Sequence, residues 1–244
     1  MRKQILAVMV GLSVVLSGCS SQSTESMLQE VKKDTKEIKS GKSTLVLSKI
    51  YENNNSLDNT VYEMSGDEKF DPLEFVRKGK YKKSYGNFEI EEYFKDGVYY
   101  SKTDGSWLKK KDPNVNDYAL SFKTDSLNMH DGILNLLDNK NNWDVTKDGD
   151  KVTFKLKKTD ELKNKVKEER FKSEKNLKFS EFDYTIEYVF NTKTNDIEKL
   201  VYEVNSKTEG ATSKTLYKGS LEEINKEVKI EVPEEAKKAL EKKA

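Results

Sequence analysis

The chain has 244 residues, with 44 Lys or Arg, 43 Asp or Glu and a single His, for a formal net charge of +1. Charge so evenly mixed excludes the concentrated basic face that a nucleic-acid partner requires, and it excludes strong electrostatic binding to anionic lipid. Only 34% of residues are hydrophobic, yet 10% are aromatic, and these fall on alternating positions, so disorder is excluded for most of the chain.

The N-terminus has three parts. Arg2 and Lys3 are followed by an apolar run, Ile5 to Leu16, and then by Leu16-Ser17-Gly18-Cys19. This is the layout of a secretory signal, and the run is too short for a membrane span, which needs about 20 apolar residues. Leu16 to Cys19 resembles the lipobox of bacterial lipoproteins. The resemblance implies that Cys19 receives a diacylglycerol and that residues 1–18 are removed. Loss of Arg2 and Lys3 with the signal takes the net charge to −1. Cys19 is the only cysteine, so no disulfide can form and the thiol is best explained by the anchor. Two acyl chains, each stabilised by about 0.8 kcal/mol per buried CH₂, suffice for stable attachment. The expected location is the outer face of the cytoplasmic membrane. Lysine far outnumbers arginine, which is confined to Arg2, Arg77 and Arg170, and this bias fits a low-GC Gram-positive source.

Residues 19–26 are expected to form a tether and residues 27–244 a single domain. Met27 to Ser40 has apolar residues at helical spacing (Leu28, Val31, Ile38), and Gly41 is a stop signal. Strand patterns follow: Ser43 to Tyr51, then Leu57 to Met64 after the Asn53-Asn54-Asn55 loop, then Leu73 to Tyr85 with Gly79 as an expected bulge. Asp96-Gly97 and Asp104-Gly105 are hairpin signals around Val98 to Lys102. Asn128 to Leu137 has a helical stripe. Trp143 to Thr146 and Val152 to Lys157 flank a third hairpin, Asp148-Gly149-Asp150. Thr159 to about Lys175 is charged, and is helix or loop. Tyr184 to Phe190, Leu200 to Val204 and about Thr212 to Leu221 alternate as strands. Val228, Ile230 and Val232 precede Pro233, where a short helix carrying Ala236, Ala239 and Leu240 can begin. The expected fold is α+β: one strongly curved antiparallel sheet with helices over its apolar face.

Asp71-Pro72-Leu73-Glu74-Phe75, Glu91-Glu92-Tyr93, Val98-Tyr99-Tyr100-Ser101-Lys102, Gly105-Ser106-Trp107-Leu108-Lys109 and Val228 to Ala236 occur in that order. The set resembles Gram-positive lipoproteins of the LolA/LppX-like superfamily. That resemblance implies a half-barrel with helices on its concave face, over a cavity that can hold lipid or acyl chains. The polar stretch Thr159 to Lys178 departs from a compact version of the fold and is expected to be an insertion.

No active site is evident. His130 is the only imidazole, and no G-x-S-x-G elbow accompanies it. Thiol and imidazole ligands for zinc are missing, and Asp148 and Asp150 lack the spacing of a calcium loop. Glu91 and Glu92 point to opposite faces of a strand and cannot share a proton. Trp107 and Trp143 are expected in the core. No enzymatic activity, metal or cofactor is expected. Alternation places Phe88, Ile90, Phe94, Phe154, Leu156, Ile186, Tyr188, Phe190, Leu200 and Tyr202 on one face, and these are the candidate ligand-binding residues. The expected partners are the membrane, through lipid on Cys19, and a lipid or other hydrophobic ligand. The alternative is a protein-interaction module with a filled core.

Overall fold

Period-two alternation and tight turns make long adjacent strands the natural way to bury this chain's aromatics. A computed structural model describes residues 22–51, 59–83, 86–111, 131–172 and 177–241. Its strands are β1 (Ser40–Tyr51), β2 (Asn59–Phe70), β3 (Leu73–Lys83), β4 (Gly86–Lys95), β5 (Val98–Thr103), β6 (Ser106–Lys111), β7 (Trp143–Asp148), β8 (Lys151–Leu156), β9 (Phe179–Asn191), β10 (Asp196–Thr208), β11 (Ser213–Glu222) and β12 (Leu240–Glu241). All belong to one curved, unclosed sheet in the order β12-β6-β5-β4-β3-β2-β1-β11-β10-β9-β8-β7. Two meanders, β1 to β6 and β7 to β11, are joined where β1 pairs antiparallel with β11. Every pairing is antiparallel except the short β12–β6 contact, which is parallel.

The hairpin signals form turns. Asp96 and Gly97 have φ of 52° and 73°, and Asp104 and Gly105 have 52° and 82°. Those left-handed values match the twist of the flanking strands. Gly79 is not a bulge. The registers of β3 with β2 and with β4 run through it unbroken. Glycine is needed there for close approach, because a Cβ would lie 1.8 Å from the Glu63 carbonyl oxygen.

The first helix, α1 (Thr24–Lys36), begins earlier than its apolar stripe because Ser23 caps it, accepting a 3.1 Å hydrogen bond from the Ser26 amide. Gly41 does not stop it: the helix ends five residues before, and Gly41 lies within β1, where a Cβ would press on Leu221. Helix α2 (Asp131–Leu134) continues into 3-10 turns over Asn135–Asp138 and Lys140–Asn142. Helix α3 (Asp160–Arg170) is capped by Thr159, and α4 (Glu234–Lys237) follows Pro233. Within the expected insertion, Thr159 to Lys178, the described helix is packed into the fold. Leu162 and Val166 of α3 are buried in the main core, and Phe171 packs against it. Leu240 leaves α4 and is 83% exposed in β12.

The main core joins Met27, Leu28 and Val31 of α1, Ile133 to Leu137, and α3 to the strands β7 to β11 and β1. Full burial of each such side chain stabilises by about 1.5–3 kcal/mol. Trp143 is buried as expected, its indole N–H donating to the Leu136 carbonyl at 2.9 Å. A second cluster lies at the other end of the sheet, where Ile230, Val232 and Ala236 cover Tyr93, Tyr100 and Trp107. Tyr93 is opposite Val76 and Tyr100, one residue out of phase with Phe94, so α4 and the extended segment before it lie on the face away from the main core. The expectation that all helices share one face is therefore corrected. The signal peptide, Cys19, the Asn53–Asn55 loop, Tyr85 and residues 128–130, His130 included, lie outside the described residues.

Candidate functional site

Directly opposed residues in a sheet share a face. Phe94 pairs with Phe75, Ile90 with Gly79 and Phe88 with Tyr81; these pair in turn with Glu68, Met64 and Tyr62. Met64 faces Leu45, which faces Gly219, and Gly219 faces Tyr202. Tyr202 faces Ile186, Leu200 faces Tyr188, and Tyr188 faces Phe154. All ten candidate residues thus lie on one face, as alternation requires, but the structure divides them into three environments.

Phe154, Leu156, Ile186, Tyr188, Phe190, Leu200 and Tyr202 belong to the main core, each 3% exposed or less. They pack beneath the helices, with Trp143 edge-on to Tyr188 at 5.6 Å. Phe94 stacks on Phe75 at 5.9 Å in a separate small cluster. Phe88 and Ile90 are only half-buried, as are Tyr62 and Tyr81 beside them. Tyr62 and Tyr81 meet edge to face at 6.1 Å.

Between the Phe75–Phe94 pair and this apolar margin lies a polar centre that alternation alone did not point to. Arg77 Nε donates to Glu68 Oε1 at 3.1 Å, and both side chains are almost fully buried. The Ser43 hydroxyl donates to the same Glu68 oxygen. Tyr99 donates to Glu92 Oε1 at 2.6 Å and Tyr62 to Glu92 Oε2 at 3.3 Å. The Arg77 guanidinium lies 4.2 Å from the centre of the Phe75 ring. Burial alone would push the guanidinium pKa down, but the Glu68 carboxylate beside it more than offsets this and holds it above its ordinary value. Burial, then the nearby Glu92 charge, pushes the Tyr62 and Tyr99 hydroxyls well above theirs. The signal in the sequence was Glu92, a charge at an inward position of the alternating run Phe88-Ile90-Glu92-Phe94.

Three clefts open near the sheet's margins, all lined largely by polar residues. One of about 660 Å³ is bounded by Lys78, Lys80, Glu89, Glu91, Lys102 and the edge of Ile90. One of about 450 Å³ lies beside Phe182 and Lys163. A third, about 850 Å³, lies between the end of α1 and the start of β10 and is lined by Asp34, Glu37, Asp196, Glu198 and Glu223 together with Lys39 and Lys226. Among the described residues, no group of three or more His, Cys, Asp or Glu is placed to hold a metal ion, and no helix is long and apolar enough to cross a membrane.

Asp34 lines that third cleft, and its Oδ2 is buried with no hydrogen-bond partner among the described residues. Burial first, then the charges of Asp196, Glu30 and Glu37, raise its pKa against the opposing charge of Lys33. A folded-state pKa above the unfolded value, about 3.9, means stabilisation that is complete below that value and lost as pH rises through the raised one. Asp34→Asn is therefore expected to raise Tm at pH 7 and to leave it unchanged near pH 3. Equal shifts at both pH values in thermal melts would contradict this assignment.

The family described as "Family of unknown function (DUF6612)" matches residues 23–241. No curated protein matches the chain. Among solved structures, LprF from Mycobacterium bovis is 14% identical, with a TM-score of 0.46 over 86% of this chain and 96% of that one. The lipoprotein LppX from Mycobacterium tuberculosis is 12% identical, with a TM-score of 0.39 over 86% of this chain and all of the other. At TM-scores below one half, neither likeness decides fold or ligand.

Proposed function

From the premise that this chain belongs to the DUF6612 family of unknown function, we propose that it is an exported, non-enzymatic Gram-positive lipoprotein. Lipid on Cys19 holds it on the outer face of the cytoplasmic membrane, and it binds a lipid or acyl chain. The sheet acts as a half-barrel whose concave side is the face carrying all ten candidates. The supporting observation is that this face stays apolar beyond its helix-covered part: Tyr62, Tyr81, Phe88 and Ile90 continue it but are only half-buried. Apolar area removed from water is worth about 25 cal/mol per Å², so an acyl chain laid along this margin gains what the core residues already have. The seven residues in the main core hold the scaffold and do not touch the ligand.

One observation favours a second reading, a protein-interaction module. The face beneath α1, α2 and α3 is filled by side chains, as a binding platform without a cargo would require. Titration with a fluorescent fatty acid separates the two. The carrier reading expects saturable binding that Phe88→Ser and Ile90→Ser weaken at least several-fold with only a small loss of Tm. No saturable binding, together with no lipid extracted from protein purified from its own membrane, leaves the interaction module.

The anchor has its own test. Cys19→Ser should abolish incorporation of labelled fatty acid and release the protein from the membrane, because no second thiol exists. Wild-type labelling of that variant would remove the anchor from the proposal. A hydrolase activity lost on His130→Ala, with the fold intact, would remove the non-enzymatic assignment.

A further inference from the structure

The proposed anchor and the start of the folded domain are close enough to fix which side of the molecule meets the bilayer. Only three residue steps separate Cys19 from Gln22, the first described residue, and each spans at most ~3.6 Å. Gln22 therefore lies within about 11 Å of the lipidated residue. It is not a free end. Its amide nitrogen donates to the Asn195 side chain at 3.2 Å, the next residue, Ser23, caps α1, and Glu25 pairs with Lys140.

Asn195 sits in the turn between β9 and β10, where its amide bonds back to the Asn191 carbonyl at 2.8 Å. The adjacent β7–β8 turn is tied to it, because the Thr192 amide donates to the Asp150 carbonyl at 2.8 Å. We infer that this rim, formed by the β7–β8 and β9–β10 turns with Gln22 between the domain and its anchor, is the surface that rests against the lipid headgroups. The inference relies on the lipid anchor proposed for Cys19.

The composition of the rim fits a surface held there by a tether. Lys147, Lys193, Asp148 and Asp150 balance one another, Lys151 is paired with Glu198 at 2.8 Å, and residues 193–196 are all exposed. Charge does not draw this rim to an anionic bilayer, so its placement should not depend on salt. The broad outer face of β9 and β10 carries Glu181, Asp183, Glu187, Lys199 and Glu203 around Val189 and Val201, and both valines are half-buried, which is too little exposed apolar surface for the domain to lie flat on. The strands therefore stand away from the membrane. Glu209, just past the other end of β10, lies about 40 Å along the strand from the rim at ~3.3 Å per residue.

The test uses the full lipidated chain in vesicles of phosphatidylcholine with added anionic phosphatidylglycerol. Cys19 is consumed by its thioether, so a cysteine introduced by Lys193→Cys or Glu209→Cys carries the only free thiol and takes a single fluorophore. Energy transfer to acceptors on the lipid headgroups is measured for vesicles recovered by flotation. The expected result is strong transfer from position 193, weak transfer from position 209, and no change between low and high salt. If the chain floats but the two positions transfer equally or in reverse order, or if high salt abolishes the difference, the orientation is wrong and the anchor stands. If the chain does not float, anchor and orientation fall together.

Discussion

Arg77→Ala is expected to lower the free energy of unfolding by about 3–5 kcal/mol, the cost of breaking a buried ion pair by removing one partner. The loss comes from what remains. Glu68 is 1% exposed, and without the guanidinium its carboxylate keeps, among the described residues, only the Ser43 hydroxyl as a partner. Glu92, held by Tyr62 and Tyr99, loses the Arg77 charge that interacts with it. Arg77→Ala also strips the Phe75 ring of the guanidinium stacked on it. Removing both charges is a different experiment. The double variant Arg77→Met, Glu68→Leu removes the stranded Glu68 charge and leaves Glu92 on its two tyrosine hydroxyls, and pairs of this kind are often neutral or stabilising when replaced by apolar residues. Urea denaturation of the two variants should therefore show a large loss for the single change and recovery of most of it in the double. A double variant as unstable as the single would mean that the pair is held for its shape and not for its charge balance.

Phe154→Ala is expected to cost about 3–5 kcal/mol as well, by a different route: lost transfer energy plus an unfilled cavity. Phe154 is fully buried, opposite Tyr188 on β9, which Trp143 also meets edge-on. The neighbouring strands limit how far the site can collapse. Phe88→Ala, on the same face but half-buried, should cost much less. The contrast tests the division of the ten candidates into scaffold and margin. If Phe154→Ala kept its stability and lost fatty-acid binding, the ligand would lie beneath the helices, and the assignment of these residues to a closed core would be wrong.

Much of the fold was legible in local patterns. The glycine-containing turns at 96–97, 104–105 and 148–150 fall where expected, because φ > 0 is a property of the turn residues themselves. Alternation placed all ten candidates on one face, because strand geometry forces successive side chains to opposite sides. Less legible were features that depend on what lies across from a residue. Gly41 and Gly79 punctuate the sequence like a helix stop and a bulge, yet each is needed for close approach to a neighbouring strand. The charged run after Thr159 looks dispensable, but Leu162 and Val166 recur at helical spacing and reach the core. Arg77 and Glu68 carry no local mark of burial, because what makes burial tolerable is that each has the other as its partner.

The sequence by itself determined the strand periodicity, the turns, the shared face and the lone thiol at Cys19. These are set by chain stereochemistry and composition within a few residues. Only the tertiary structure decided that β1 joins the two meanders by pairing with β11, that the C-terminal segment crosses to the opposite face, and that seven of the ten candidates are sealed beneath helices while Phe88 and Ile90 remain half-open. Those outcomes follow from contacts between segments more than a hundred residues apart, such as Leu45 with Gly219 and Tyr93 with Ile230. A residue's burial is a property of such distant neighbours, and periodicity can say which way a side chain points but not what it will meet.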